Sequence, residues 1–284
     1  SGIDVNNEDE GAVNGSSTAE FEDARPFMED PLHSQPVIIN YSADERVVFI
    51  STNSGYLHAF SPKLDSAPNT TPVERPKELF SFIPRELLTN IKPYYSGETG
   101  KKYGLDGPLS YYHHDLNQNG FLFDSNNRVE EKQYGGKKVK EYIHVYASMR
   151  RGGRNYYALD VTNPVEPKYL WQITGGTGKF KKLGQTWSKM IPAKVKWDGQ
   201  DTNVLFFGGG YDRDKEDCLG TGASLNCSDG PVRRTDVTMG NAIFMVDALT
   251  GQYLWSASND SSSELTLPEM TSSIVSDLNI IDTD

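Results

Sequence analysis

The segment Asp115-Leu116-Asn117-Gln118-Asn119-Gly120-Phe121-Leu122-Phe123-Asp124 carries oxygen-bearing side chains at its first, third and fifth positions, a glycine at the sixth and an acid at the tenth. A hard divalent cation such as calcium takes about six to eight oxygens. A loop of this period supplies them from the side chains of Asp115, Asn117 and Asn119, the carbonyl of Phe121, and Asp124 as a closing carboxylate, with Gly120 permitting the sharp turn. Two carboxylates imply weak affinity, and Asn126 stands where an acid usually closes such a loop. The same residues fit an Asx-turn hairpin tip, where Asn-Gly is favoured for its positive φ. The sequence leaves both readings open.

Other chemistry-bearing residues form weaker constellations. Cys218 and Cys227 bracket a polar, Gly-rich stretch; paired, they would close a small loop, remove about 2–3 kcal/mol of unfolded-state freedom and point to an exported location. Two free thiols or half of a metal site are the alternatives. Asp212-Arg213-Asp214-Lys215-Glu216-Asp217 is acidic but interleaved with bases, which suits a solvated loop. Gly175-Gly176-Thr177-Gly178-Lys179 suggests a phosphate loop, yet Phe180 stands where Ser or Thr must hold magnesium. Adjacent His113 and His114 on a strand face opposite ways and cannot converge on one metal. His33 and His58 suit packing better than catalysis, and Arg150-Arg151-Gly152-Gly153-Arg154 suits a hairpin turn whose glycines allow tight reversal.

The elements that must position these residues recur. Three times a β-rich strand, a turn and a second strand are followed by Leu and a large ring: Val47–Ile50, Gly55–Phe60 and Leu79-Phe80; Ile143–Tyr146, Asn155–Asp160 and Leu170-Trp171; Val204–Phe207, Asn241–Asp247 and Leu254-Trp255. Each copy is preceded by a further strand, near His33–Ile39, Gly107–Tyr111 and Ser188–Val195. Four strands per unit is the count of a propeller blade, and such units must stack to bury their apolar faces. The sequence therefore predicts an all-β propeller of four-stranded blades with long loop insertions. A further inner strand at Thr271–Ile281 would begin a fourth blade of an incomplete wheel. The blades fall at about 26–103, 104–186, 187–270 and 271–284. One short helix is expected at Pro84–Leu88.

Fifteen Tyr and twelve Phe suit half-buried strands. No apolar run is long enough for a membrane helix. Residues 1–30 hold nine acids against Arg25, which accounts for eight of the chain's eleven net negative charges. With its Gly, Ser and Asn content, residues 1–25 read as a disordered acidic leader or linker. The remainder is nearly balanced, without the basic face that nucleic acid requires.

Seven ordered landmarks carry a family likeness: Asp30–Pro36, Thr52–Phe60, Glu78–Arg85, Asp106-Gly107, Arg151–Thr162, Leu183–Ser188 and Gly208–Tyr211. Over roughly residues 28–284 the chain resembles the C-terminal propeller of the PilC/PilY type IV pilus tip-associated proteins. The resemblance implies a non-enzymatic module at the pilus tip or outer-membrane surface of a Gram-negative bacterium. It would act in adhesion to host cells or abiotic surfaces, in pilus assembly with pilin or minor pilins, and in twitching motility, with Ca2+ as regulator. It further implies that Asp282 and Asp284 are the first two ligands of a calcium loop, too few to hold an ion by themselves. Ser61 departs from the Asp often found in the family, and the insertion holding Cys218 and Cys227 is longer than the usual turn. A quinoprotein-like propeller oxidoreductase is the alternative, opposed by the lack of an adjacent cysteine pair and of a poised acid–base couple.

Overall fold

The computed structural model describes residues 30–64, 76–95, 102–134, 136–216 and 238–281. The predicted leader, Cys218, Cys227, Asp282 and Asp284 lie outside the described residues. The chain divides into Ser1–Asp30 and a compact unit Pro31–Asp284, and the description concerns the latter.

Three antiparallel sheets follow one another along the chain. The first is β1 (Val37–Asn40), β2 (Arg46–Ser51), β3 (Leu57–Leu64) and β4 (Pro76–Phe82), in that order across the sheet. A 3-10 turn at Arg85–Leu87 then runs into α1 (Leu88–Tyr95), so the predicted short helix continues further than expected. The second sheet has β5 (Leu109–His113), β8 (Ile143–Ser148), β9 (Asn155–Asp160) and β10 (Lys168–Thr174). Between β5 and β8 lies a separate hairpin, β6 (Glu131–Tyr134) and β7 (Lys137–Lys140). The third sheet has β11 (Ile191–Trp197), β12 (Gln200–Gly208), β13 (Ala242–Asp247) and β14 (Tyr253–Ser258). A short parallel strand, β15 (Leu265–Thr266), extends it, and a single helical turn, α2 (Arg213–Glu216), follows β12. These are three consecutive propeller-type blades of an open array.

The recurring Leu-aromatic pair has a structural cause. Phe80 lies opposite Ala59, Trp171 opposite Ala158 and Trp255 opposite Met245, so the three rings occupy equivalent places. In each sheet the register slips beside the ring, and the leucine before it, Leu79, Leu170 or Leu254, has no opposite residue. That leucine is the extra residue of a β-bulge, which bends the outer strand and increases its twist. Without the bulge, strict alternation would send Leu and ring to opposite faces. Here Leu79 and Phe80 both pack against one apolar cluster, and Leu170 and Trp171 against another.

Every residue of β8 is buried, because the middle blade is covered on both sides. Val145, Ala147, Tyr157 and Leu159 join Val47, Phe49, Leu57 and Ala59 of the first blade. Tyr146, Tyr156, Ala158 and Trp171 join Leu205, Phe207, Phe244 and Val246 of the third. Alternation along β8 and β9 thus feeds two successive inter-blade cores, as stacking of repeats requires. Side-chain hydrogen bonds help stitch the seams: Tyr41 Oη–H donates to the Val161 carbonyl (2.5 Å), Tyr156 Oη–H to Ser188 (2.6 Å) and Trp171 Nε1–H to Ala248 (3.3 Å).

The serine that marks the start of a blade also has a task. Ser34 Oγ accepts the Ser51 N–H, and Ser188 Oγ accepts the Gly208 N–H, each at 3.0 Å. In the middle blade the equivalent residue is Gly107, and the hydroxyl comes from the other strand, Ser148 Oγ donating to the Pro108 carbonyl.

The step from one blade to the next is repeated too. Arg150 N–H donates to the Thr186 carbonyl and Thr186 N–H to Gly153; one unit later Gly210 N–H donates to Ile274 and Ile274 N–H to Gly240. Thr271–Ile281 therefore leaves the third blade as Thr186–Ser188 leaves the second. The inner strand expected there forms no ladder among the described residues.

Candidate functional site

The Asp115 loop is an insertion between β5 and β6, fastened to the blades at its base. The Leu116 N–H donates to the buried carboxylate of Glu141 (2.8 Å), which also meets His113 Nε2 (3.3 Å). At the far end Leu122 is fully buried, and the N–H groups of Leu122 and Phe123 both donate to the Tyr41 carbonyl. Leu122 and the partly buried Phe123 thus pin the end of the loop to the first core.

Within the loop, Asp115 takes the Gln118 N–H on one carboxylate oxygen (2.6 Å) and the Gly120 N–H on the other (2.8 Å). Asn117 Oδ1 accepts from Asn119 N–H, and Asn119 Oδ1 from Phe121 N–H. Gln118 and Gly120 both have positive φ, 61° and 77°. These are nested Asx turns, as one of the two sequence readings expected. They also gather Asp115, Asn117 and Asn119. A residue that spacing did not flag completes the group: both Asn117 Nδ2 and Asn119 Nδ2 donate to the Glu130 carboxylate, the latter at 2.9 Å. Glu130 is brought there by strand pairing, its N–H donating to Leu122 and its carbonyl accepting from Glu141 N–H. Asp124 is turned to other work, capping the Asn126 and Arg128 N–H groups and pairing with the Arg128 guanidinium (3.2 Å). Among the described residues no group of three or more His, Cys, Asp or Glu forms a metal cluster.

Partial burial raises the Asp115 carboxyl, but the Gly120 and Gln118 N–H groups, the His113 charge and Asn119 outweigh it, so its pKa falls below the ordinary value. The loop thus keeps Asp115 ionised. The two histidines diverge as their alternation requires: His113 turns to Glu141, while His114 stacks on Tyr142 at 4.8 Å. His33 and His58 each face a carboxylate, Asp106 at 2.9 Å and Glu78 at 2.7 Å. The glycine run at 175–178 is a tight turn closed by Gly176 N–H to the Phe180 carbonyl, and Phe180 packs on Phe244.

Stretches of the chain align with known proteins. It is 28% identical over 149 residues to the type IV pilus biogenesis factor PilY1 homolog of Xylella fastidiosa. It is 30% identical over 175 residues to the type IV pilus biogenesis factor PilY1 of Pseudomonas aeruginosa strain UCBPP-PA14. It is a relative of the PilC/PilY proteins. The alignments cover 52% and 61% of this PilC/PilY relative but only 10% and 12% of the curated proteins, so it spans a small part of their length. The crystal structure of the Pseudomonas aeruginosa PilY1 C-terminal domain superposes with a TM-score of 0.42 and 19% identity, covering 79% of this chain and 32% of that one. No family model matches. Among the described residues no helix is long and apolar enough to cross a membrane.

One titration belongs to the same blade as the loop. His144 is buried against Tyr142, its Nδ1 lacks a hydrogen-bond partner, and burial lowers its pKa against the opposing pull of Asp160. A base with a depressed native pKa adds stability above the unfolded value and loses it as pH falls. Unfolding midpoints in urea are therefore expected to fall between about pH 7.5 and about pH 5, and less so in His144→Phe. An identical slope in both proteins would assign the effect elsewhere.

Proposed function

We propose that this chain forms part of a type IV pilus biogenesis factor displayed at the pilus tip or outer-membrane surface. There it acts as a binding and assembly module for pilins and for host or abiotic surfaces, and it is not an enzyme. The observation that carries this reading is the pair of alignments to PilY1 proteins, over 149 and 175 residues. Rigid blades with long insertions suit display of recognition loops. In-frame removal of residues 31–281 from the full-length protein is expected to abolish surface pili and twitching zones. Normal piliation and motility would sink the proposal.

The finer part of the reading concerns calcium. Asp115, Asn117 and Asn119, with the Phe121 carbonyl and Glu130, would hold the ion; the carboxylates of Asp115 and Glu130 supply the charge that hard cations require. Support comes from Glu130, which stands in for Asp124 and keeps two carboxylates beside the loop. Calcium would shift the surface only by binding one loop state better than another. Millimolar calcium is expected to stabilise the protein by about 1–2 kcal/mol, read as a higher melting temperature. Asp115→Ala and Glu130→Gln should each lose most of that shift. A flat response of the unaltered protein removes the loop from consideration.

A further inference from the structure

At one end of the sheets lies an open trough of about 840 Å3, apart from the Asp115 loop. It runs from the 3-10 turn after β4, past the Arg150–Gly152 turn of the middle blade, to Tyr211 and Arg213 of the third. Among the described residues that line it, Lys102, Arg151, Arg154 and Arg213 are cationic and Glu86 is acidic. Glu86 is committed: one carboxylate oxygen accepts from Asn155 Nδ2 (2.7 Å), Tyr157 Oη (2.5 Å) and Gln172 Nε2 (3.1 Å). In a chain of net charge −11, a wall with this excess of positive charge is a local feature that the whole-chain balance conceals.

The aromatic rings of the trough serve the cations. Arg150 lies 4.0 Å above the Trp187 ring, its other obligation being the buried Asp106 carboxylate at 3.7 Å. Arg151 lies 5.6 Å from the Tyr103 ring and 5.8 Å from Trp187, and Tyr211 closes on Trp187 at 5.0 Å. Guanidiniums seated on rings are held in place while their N–H forks remain usable, and a planar fork suits carboxylates. Rings covered by guanidiniums offer little platform for stacking a sugar. Arg154 already shows the chemistry, holding the exposed carboxylate of Asp214 at 2.9 Å.

We propose that this trough is a docking groove for an acidic polypeptide segment, whose Asp and Glu side chains are taken by Arg151 and Arg154. Asp214 is then an internal competitor that the incoming carboxylates displace from Arg154. The inference holds whether or not the chain works at a pilus.

The test is fluorescence anisotropy with a labelled Glu-rich peptide of about ten residues, a neutral peptide of equal length and an oligogalacturonate, at about 50 mM and about 500 mM salt. Expected are saturable binding of the acidic peptide that weakens with salt, no binding of the neutral one, and weaker binding of the uronate. Arg151→Glu with Arg154→Glu should weaken the acidic peptide at least tenfold. Asp214→Asn, an exposed change that does not disturb packing, should tighten it about two- to threefold. Absent binding, tighter binding of the uronate, or an affinity unmoved by Asp214→Asn would each overturn the proposal, even if the double variant fails to fold.

Discussion

Replacing Trp171 with alanine is expected to cost about 4 kcal/mol in a denaturant titration. The ring is 7% exposed, stacks on Tyr146 at 5.7 Å, and donates from Nε1 to the Ala248 carbonyl of the next blade. Alanine would leave a cavity between the second and third blades and orphan that carbonyl, two costs that add. Stacked units are held by nearest-neighbour interfaces. The loss should therefore be local: amide exchange in β11 to β14 should accelerate well before exchange in β1 to β4. Trp171→Phe keeps much of the packing and should lose about half as much. A loss below about 1 kcal/mol in the alanine variant, or uniform acceleration of exchange, would show that the second core does not hold the blades together.

The repeat was legible because its signals are local. β-branched and aromatic runs at even spacing give strands, and the Leu-aromatic pair located all three outer strands before its cause, the bulge, was visible. What escaped the sequence depends on tertiary pairing. The β6–β7 hairpin is mostly charged, Glu131-Lys132-Gln133-Tyr134 against Lys137-Lys138-Val139-Lys140, so no alternation announced it. Glu130 lies far beyond the usual ligand spacing and reaches the Asp115 loop only because its backbone pairs with Leu122 and Glu141. The trough joins Lys102, Arg151, Arg154 and Arg213, residues spread over three blades, which no local pattern unites. Local reading also misassigned Gly152 and Gly153. Neither sits in the left-handed region, where the non-glycine Arg150 is found at φ 47°, so reversal of the chain is not what Gly152 is for.

Gly152 is required by space. A methyl group there would fall 1.9 Å from the Gly104 carbonyl oxygen, a backbone atom that cannot swing aside as a side chain can. Gly104 has no room to retreat, since its own added methyl would lie 2.5 Å from Gly55 Cα. The first two blades therefore meet backbone to backbone through Gly104, and Gly152→Ala is expected to cost about 3 kcal/mol by disturbing that contact. Gly120→Ala provides the contrasting control: nothing lies within 4 Å of its added methyl, but its φ is 77°, so only backbone strain of about 1 kcal/mol should appear. Equal losses at the two sites would reduce Gly152 to an ordinary flexible residue. A larger loss at Gly152 would show that its place is set by the close approach of the Gly104 carbonyl.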